Sequence, residues 1–129
     1  MPLVQIDLDR TLYLQKRDLI SYEIHEAQIE SWAVPRTDVF QVFRPHDSGE
    51  LIFDPTHRGV DRQSFMLIRI TMVHKYSALQ KKALYAALVR RLQTIGIRPE
   101  DILVSLIENG FEDWFAGDQD SLAPWLSQS

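Results

Sequence analysis

The sequence predicts an α/β fold of the two-layer α+β kind, made from two copies of one strand–helix–strand unit. The copies span about residues 2–43 and 65–108 of a single domain, 1–129, with a tail at 109–129. Three observations carry this. Leu3-Val4-Gln5-Ile6-Asp7-Leu8 matches Leu67-Ile68-Arg69-Ile70-Thr71-Met72 at a shift of 64 residues. In both segments alternate positions are apolar, the period-2 mark of a half-buried strand. The same shift lays Ile20 and Ile24 onto Leu84 and Leu88, an i, i+4 pair on one side of a helix.

The elements follow in order. Val4, Ile6 and Leu8 share one face of the first strand, and Gln5 and Asp7 share the other. The first helix is expected from about Leu14 to Trp32, ended by Pro35. Pro35-Arg36-Thr37-Asp38-Val39-Phe40 then matches Arg98-Pro99-Glu100-Asp101-Ile102-Leu103 at a shift of 63, so the second helix-to-strand turn is one residue shorter. Between the copies, Pro45, Asp47-Ser48-Gly49, Asp54-Pro55 and Gly59 are turn formers, and Glu50 to Phe53 reads as a short hairpin arm. The second helix is expected after Ser77, an N-cap residue, and to end at Gly96, suited to a left-handed C′ position. In the tail, Phe111, Trp114, Phe115 and Trp125 stand among polar residues, a pattern that favours packing on a neighbour.

A strand–helix–strand unit of this length forms a parallel pair through a right-handed crossover. Two units give a four-stranded sheet, parallel within each unit, with both helices on one face. Phe40, Val42, Phe65 and Leu67 would leave the other face partly apolar, and self-association would bury it.

Composition excludes several classes. A net charge of −4 argues against nucleic acid or an acidic membrane as partner. The absence of cysteine rules out disulfides and thiolate metal sites. No apolar run approaches 18 residues, so a soluble, cytoplasmic protein is expected. His25, His46 and His57 lack metal-ligand spacing, and no phosphate loop or Ser-His-Asp order stands out. No metal and no cofactor are implied.

Residue 2 carries the chemistry. Pro2 stands directly ahead of the first strand. With Met1 removed, its ring nitrogen is a secondary amine, and an α-amino group titrates at about 7.7–8.0. An apolar pocket would penalise the ammonium and lower that value. Such a group is a rigid general base near cellular pH. With Met1 retained, the nitrogen is an amide and has no basicity. Met66, at the matching position of the second copy, lies inside the chain, so each chain has one such amine.

This duplication behind an N-terminal proline resembles the tautomerase superfamily, and in particular its malonate semialdehyde decarboxylase-like branch. The similarity extends to Asp9-Arg10-Thr11 after strand one and to Val34-Pro35-x-x-Asp38-x-Phe40-Gln41 at the helix-to-strand turn. It continues through Gly59-x-x-Arg62-x-Ser64 at the entry to strand three and Asn109-x-x-x-Asp113-Trp114 with Gly117 in the tail. The resemblance implies a homotrimer whose sheets face a common core, and a small carboxylic acid as substrate. It implies Pro2 as catalytic residue, with Asp38 as a carboxylate partner that holds water or substrate. Arg10 would bind the substrate carboxylate by its guanidinium fork, and Trp114 would form an apolar wall. The branch carries two arginines just after strand three. Here those positions hold His74 and Tyr76, donors suited to an enolate oxygen, with Lys75 between them expected to point away.

The leading reading is cofactor-free keto-enol tautomerisation of a small 2-oxo acid, with Pro2 as base. The alternatives are decarboxylation or hydration of a three-carbon acid with cationic Pro2, and a non-catalytic trimeric binding protein.

Overall fold

The computed structural model describes residues 2–117; Met1 and residues 118–129, Trp125 among them, lie outside the described part. The strands and α-helices of the described residues follow in order: β1 (Leu3–Asp9), α1 (Arg10–Trp32), β2 (Gln41–His46), β3 (Met66–Val73), α2 (Ala78–Thr94) and β4 (Ile102–Asn109). The four strands form one sheet in the order β2-β1-β3-β4. β1 pairs with β2 in parallel, and β3 with β4 in parallel. The two units meet through the antiparallel pair β1 and β3, with Leu3 opposite Thr71 and Ile6 opposite Ile68.

Strand alternation places the core. Val4, Ile6, Leu8, Met66, Ile68, Ile70 and Met72 are all buried and pack with Ile20, Ile24, Leu84, Leu88 and Leu92 of the helices. Each such side chain contributes about 1.5–3 kcal/mol on full burial. The opposite face is incompletely covered: Phe40 is 48% exposed, Val42 44% and Leu103 48%. Phe65 and Leu67 are half-buried.

Two boundaries differ from expectation. α1 begins at Arg10, one turn before Leu14, because the Asp9 side chain accepts the Thr11 N–H at 3.0 Å and caps the helix early. Residues 50–53 form no hairpin arm. The turns on either side close locally, with Glu50 N–H bonded to Asp47 C=O (3.1 Å) and Arg62 N–H to Pro55 C=O (2.9 Å). Residues 51–53 between them join no strand. The α2 limits hold. Ser77 and Gln80 form a reciprocal capping box, and Gly96 takes φ 88° past the last turn.

Candidate active site

The register of β1 against β3 decides which residues meet. Because Leu3 lies opposite Thr71, the start of β1 lies at the end of β3, where Val73 hands over to residues 74–77. Pro2 is buried there. The Val4 N–H donates to Phe40 C=O at 2.9 Å, which brings the β2 approach, with Asp38 two residues upstream, to the same edge. Asp38 is half-buried, and its N–H closes a turn onto Pro35 C=O at 2.9 Å.

Tyr76 reaches this end from the second unit. Its ring lies flat on Trp32, centroids 3.9 Å apart and planes inclined by 11°. Burial raises the phenol above its ordinary pKa, and the negative charge of Asp38 adds to that rise. The hydroxyl therefore stays protonated at neutral pH and can only donate or accept a hydrogen bond there. Asp38 and Tyr76 come from different units, and this electrostatic coupling shows that the fold sets them near one another.

His74 and Trp114 meet through Asn109, the last residue of β4. His74 N–H donates to Asn109 C=O at 2.9 Å, and the Trp114 indole N–H donates to Asn109 Oδ1 at 2.7 Å. The His74 side chain is exposed on one side and pairs with Glu108 on the other; Lys81 holds the second Glu108 oxygen. Lys75 is exposed to solvent, as expected, though not through strand alternation: β3 stops at Val73, and the Lys75 ammonium sits 5.2 Å from the Tyr76 ring centroid. Glu108, Asn109, Trp32 and Lys75 are thus site neighbours that sequence reasoning did not single out as functional. The Asn109 motif was a signal for one of them.

Arg10 does not join this group within its own chain. It follows β1, eight residues from Pro2, and at about 3.3 Å per residue that is roughly 26 Å away. There its Nε donates to Asp47 Oδ1 at 2.7 Å. No group of three or more histidines and carboxylates able to hold a metal ion occurs among the described residues, and none of the described helices is long and apolar enough to cross a membrane.

These features define a duplicated α/β protein in which the start of β1, the β2 approach with Asp38 and the loop with Tyr76 lie at one end of the sheet. Comparison with known proteins gives the class. The family model described as tautomerase enzyme matches residues 38–117, well over half the chain, and the chain belongs to that family. The probable tautomerase YusQ of Bacillus subtilis (strain 168) is 37% identical over 122 residues, 91% of this chain and 94% of YusQ. A crystal structure of FG41 malonate semialdehyde decarboxylase inhibited by 3-bromopropiolate superimposes with a TM-score of 0.88. The match has 26% identity and covers 97% of this chain and 96% of that one. A fused 4-OT, described as a symmetric trimer, shares the fold at 15% identity and a TM-score of 0.74, over 90% of this chain and 92% of its own. The protein is a tautomerase-superfamily enzyme with a fold like that of malonate semialdehyde decarboxylase.

Proposed function

We propose that the protein interconverts the keto and enol forms of a small 2-oxo acid, with the Pro2 nitrogen moving the proton. The observation that carries this reading is the convergence of the buried chain start with Asp38 and a protonated Tyr76 at one end of the sheet. Once Met1 is removed, the free amine takes a proton from C3 of the keto acid. The electron pair moves to the C2 oxygen, and the proton is then returned to that oxygen. Tyr76 donates a hydrogen bond to the oxygen as its charge grows, and Asp38 holds water or substrate beside the amine. Arg10 was the expected carboxylate anchor. With Arg10 paired to Asp47 in its own chain, the Lys75 ammonium and a His74 ring N–H would hold the substrate carboxylate, and Trp114 would wall the pocket.

The likeness to a decarboxylase favours a second reading, in which cationic Pro2 acts as an acid and Asp38 activates water. Against it stand His74 and Tyr76, where that branch is expected to carry two arginines. Each lost charge-assisted bond is worth roughly 1.5–3 kcal/mol. The incompletely covered sheet face supports assembly as a homotrimer without a cofactor, which light scattering should register as about three times the 15.0 kDa chain; a clean monomer at micromolar concentration would rule it out.

The deciding experiment pairs the intact mass of the protein from cells with the pH dependence of enol-to-keto conversion of an aryl 2-oxo acid. The mass should lack Met1. Activity should rise through the amine pKa, since a neutral base is needed. Decarboxylation of a 3-oxo acid that outpaces every tautomerisation and falls as pH rises would establish the second reading instead.

A further inference from the structure

Trp32 is the last residue of α1 and 5% exposed, and the chemistry described above makes no use of it. Its surroundings are specific. One face carries the Tyr76 ring at 3.9 Å in near-parallel stacking. Its indole N–H donates to Gln80 C=O at 2.9 Å. Gln80 is tied in turn to Ser77, the residue after Tyr76: its N–H bonds Ser77 Oγ at 3.2 Å, and its side chain accepts the Ser77 N–H at 2.9 Å. On the other side, Ala33 takes a left-handed turn (φ 55°) directly after Trp32 and starts the approach to Asp38. One ring therefore bolts the turn that carries Tyr76 to the helix end that leads to Asp38. The second unit has no such bolt, because Gly96 stands at the matching position.

We infer that Trp32 is a positioning residue for this site, holding the Tyr76 ring in the one orientation from which its phenol reaches the substrate oxygen. Two ring torsions otherwise leave a tyrosine on a loop free to swing, and a displacement near 1 Å at a reacting group costs on the order of 10²-fold in rate. The stack removes that freedom without touching substrate. It also keeps water off one face of the phenol, in line with the raised pKa. The inference rests on the reading of Tyr76 as the oxygen donor.

A double-mutant cycle tests it. Tyr76→Phe should slow tautomerisation about tenfold, as loss of one hydrogen bond worth about 1.5 kcal/mol predicts. Acting only through Tyr76, Trp32→Leu should lower kcat by no more than that factor, with KM little changed. In the Tyr76→Phe background the same substitution should cost nothing further. Trp32→Phe keeps a stacking ring and should recover most of the rate. Titration of the tyrosinate absorbance, with Tyr76→Phe subtracted, should show the Tyr76 pKa falling toward the ordinary value of about 10 in Trp32→Leu. Losses that multiply in the double variant, or a Trp32→Leu enzyme of full activity, would overturn the role of Trp32 and leave that of Tyr76 standing. A Tyr76→Phe enzyme of full activity would instead remove the donor reading, and the inference with it. Should Trp32→Leu fail to fold, Trp32→Met takes its place in the cycle.

Discussion

The two ends of the sheet are built alike and furnished differently. Because β1 and β3 are antiparallel, the end that holds Pro2, Asp38 and residues 74–76 has a counterpart at the other end. There the matching positions are Met66, Asp101 and Arg10 to Leu12. Met66 is fully buried, and its nitrogen is an amide inside the chain. Asp101 is 4% exposed and accepts the Gln63 N–H at 2.7 Å, with Arg98 beside it at 3.8 Å. It is a structural cap. Asp38 is half-buried and acts electrostatically on Tyr76.

The next difference is a single helical turn. Arg10 to Tyr13 form the first turn of α1, capped by Asp9, whereas the matching His74 to Ser77 stay unwound. Position 73 holds Val73, which has no capping oxygen, so α2 waits for Ser77. That unwound stretch is what carries Tyr76 to the Pro2 end. The far end also has a cleft, about 230 Å³ and lined by Asp9, Asp47, Phe53, Gln63 and Phe65 among others, but it holds carboxylates and no amine. The lesson is that a duplicated fold supplies two equivalent ends, and cap placement furnishes them differently: a helical turn at one, the unwound stretch with Tyr76 at the other.

The largest effect should fall on that distinction. Pro2→Ala keeps a primary amine but changes its basicity and rigidity, and should slow tautomerisation on the order of 10²-fold or more. Met66→Leu, the matching change at the far end, conserves volume and should cost less than about 1.5 kcal/mol in stability with no change in kcat. Steady-state kinetics and thermal melts on the two variants decide this. Equal rates in Pro2→Ala and wild type would take Pro2 out of the mechanism.

The aspartates should split the other way. Asp38→Asn is expected to lower kcat roughly 10- to 100-fold, the scale of one charge-assisted bond at about 1.4 kcal/mol per decade, while leaving the melt nearly unchanged. Asp101→Ala strands the Gln63 N–H and should cost about 1–3 kcal/mol of stability with kcat preserved in the folded fraction. If both variants lose only stability, the two ends are alike and Asp38 is a cap too.

Tyr76 sets a third contrast through pH. Its raised pKa means that the folded state holds the phenol proton more tightly than the unfolded chain does. The associated stability is fully present below the ordinary tyrosine value of about 10 and is lost as pH rises through the folded value. Activity should accordingly rise through the Pro2 amine, hold level, and fall only on the alkaline side above about 10. Tyr76→Phe should abolish the alkaline fall and lower the plateau about tenfold. A fall that persists in this variant belongs to another group.

Much of this could be read before any coordinates. Alternation at Val4, Ile6, Leu8 and at Ile68, Ile70, Met72 placed the core face, and the Ser77 and Gly96 signals bounded α2. The start of α1 falls one turn ahead of the expected Leu14. Leu14 matches Ala78, where α2 does begin, but Asp9 caps four residues earlier. Strand order was not legible, because the pattern of one strand says nothing about which neighbour it pairs with. The same gap hid the position of Arg10: its spacing from Pro2 is short in sequence, but an extended strand turns eight residues into the length of the sheet. The Trp32 stack was hidden as well, since it joins residues 44 apart through packing alone.

Arg10 provides the smallest expected effect and the sharpest check on the comparison. Its side chain is about half exposed, and its Asp47 partner more so, a screened surface pair that contributes little to stability. Arg10→Ala should therefore shift the melt slightly. If His74 and Lys75 hold the carboxylate, KM should stay within about twofold of wild type. A rise in KM of tenfold or more would mean that Arg10 does meet substrate. Since it lies about a sheet's length from its own Pro2, it would have to serve the site of a neighbouring subunit. Mixed assemblies of Arg10→Ala and Pro2→Ala chains would then regain activity, because some sites would pair an intact Pro2 with an intact Arg10. Without that gain on mixing, the ends of the sheet work separately: one for chemistry, the other for holding the fold together.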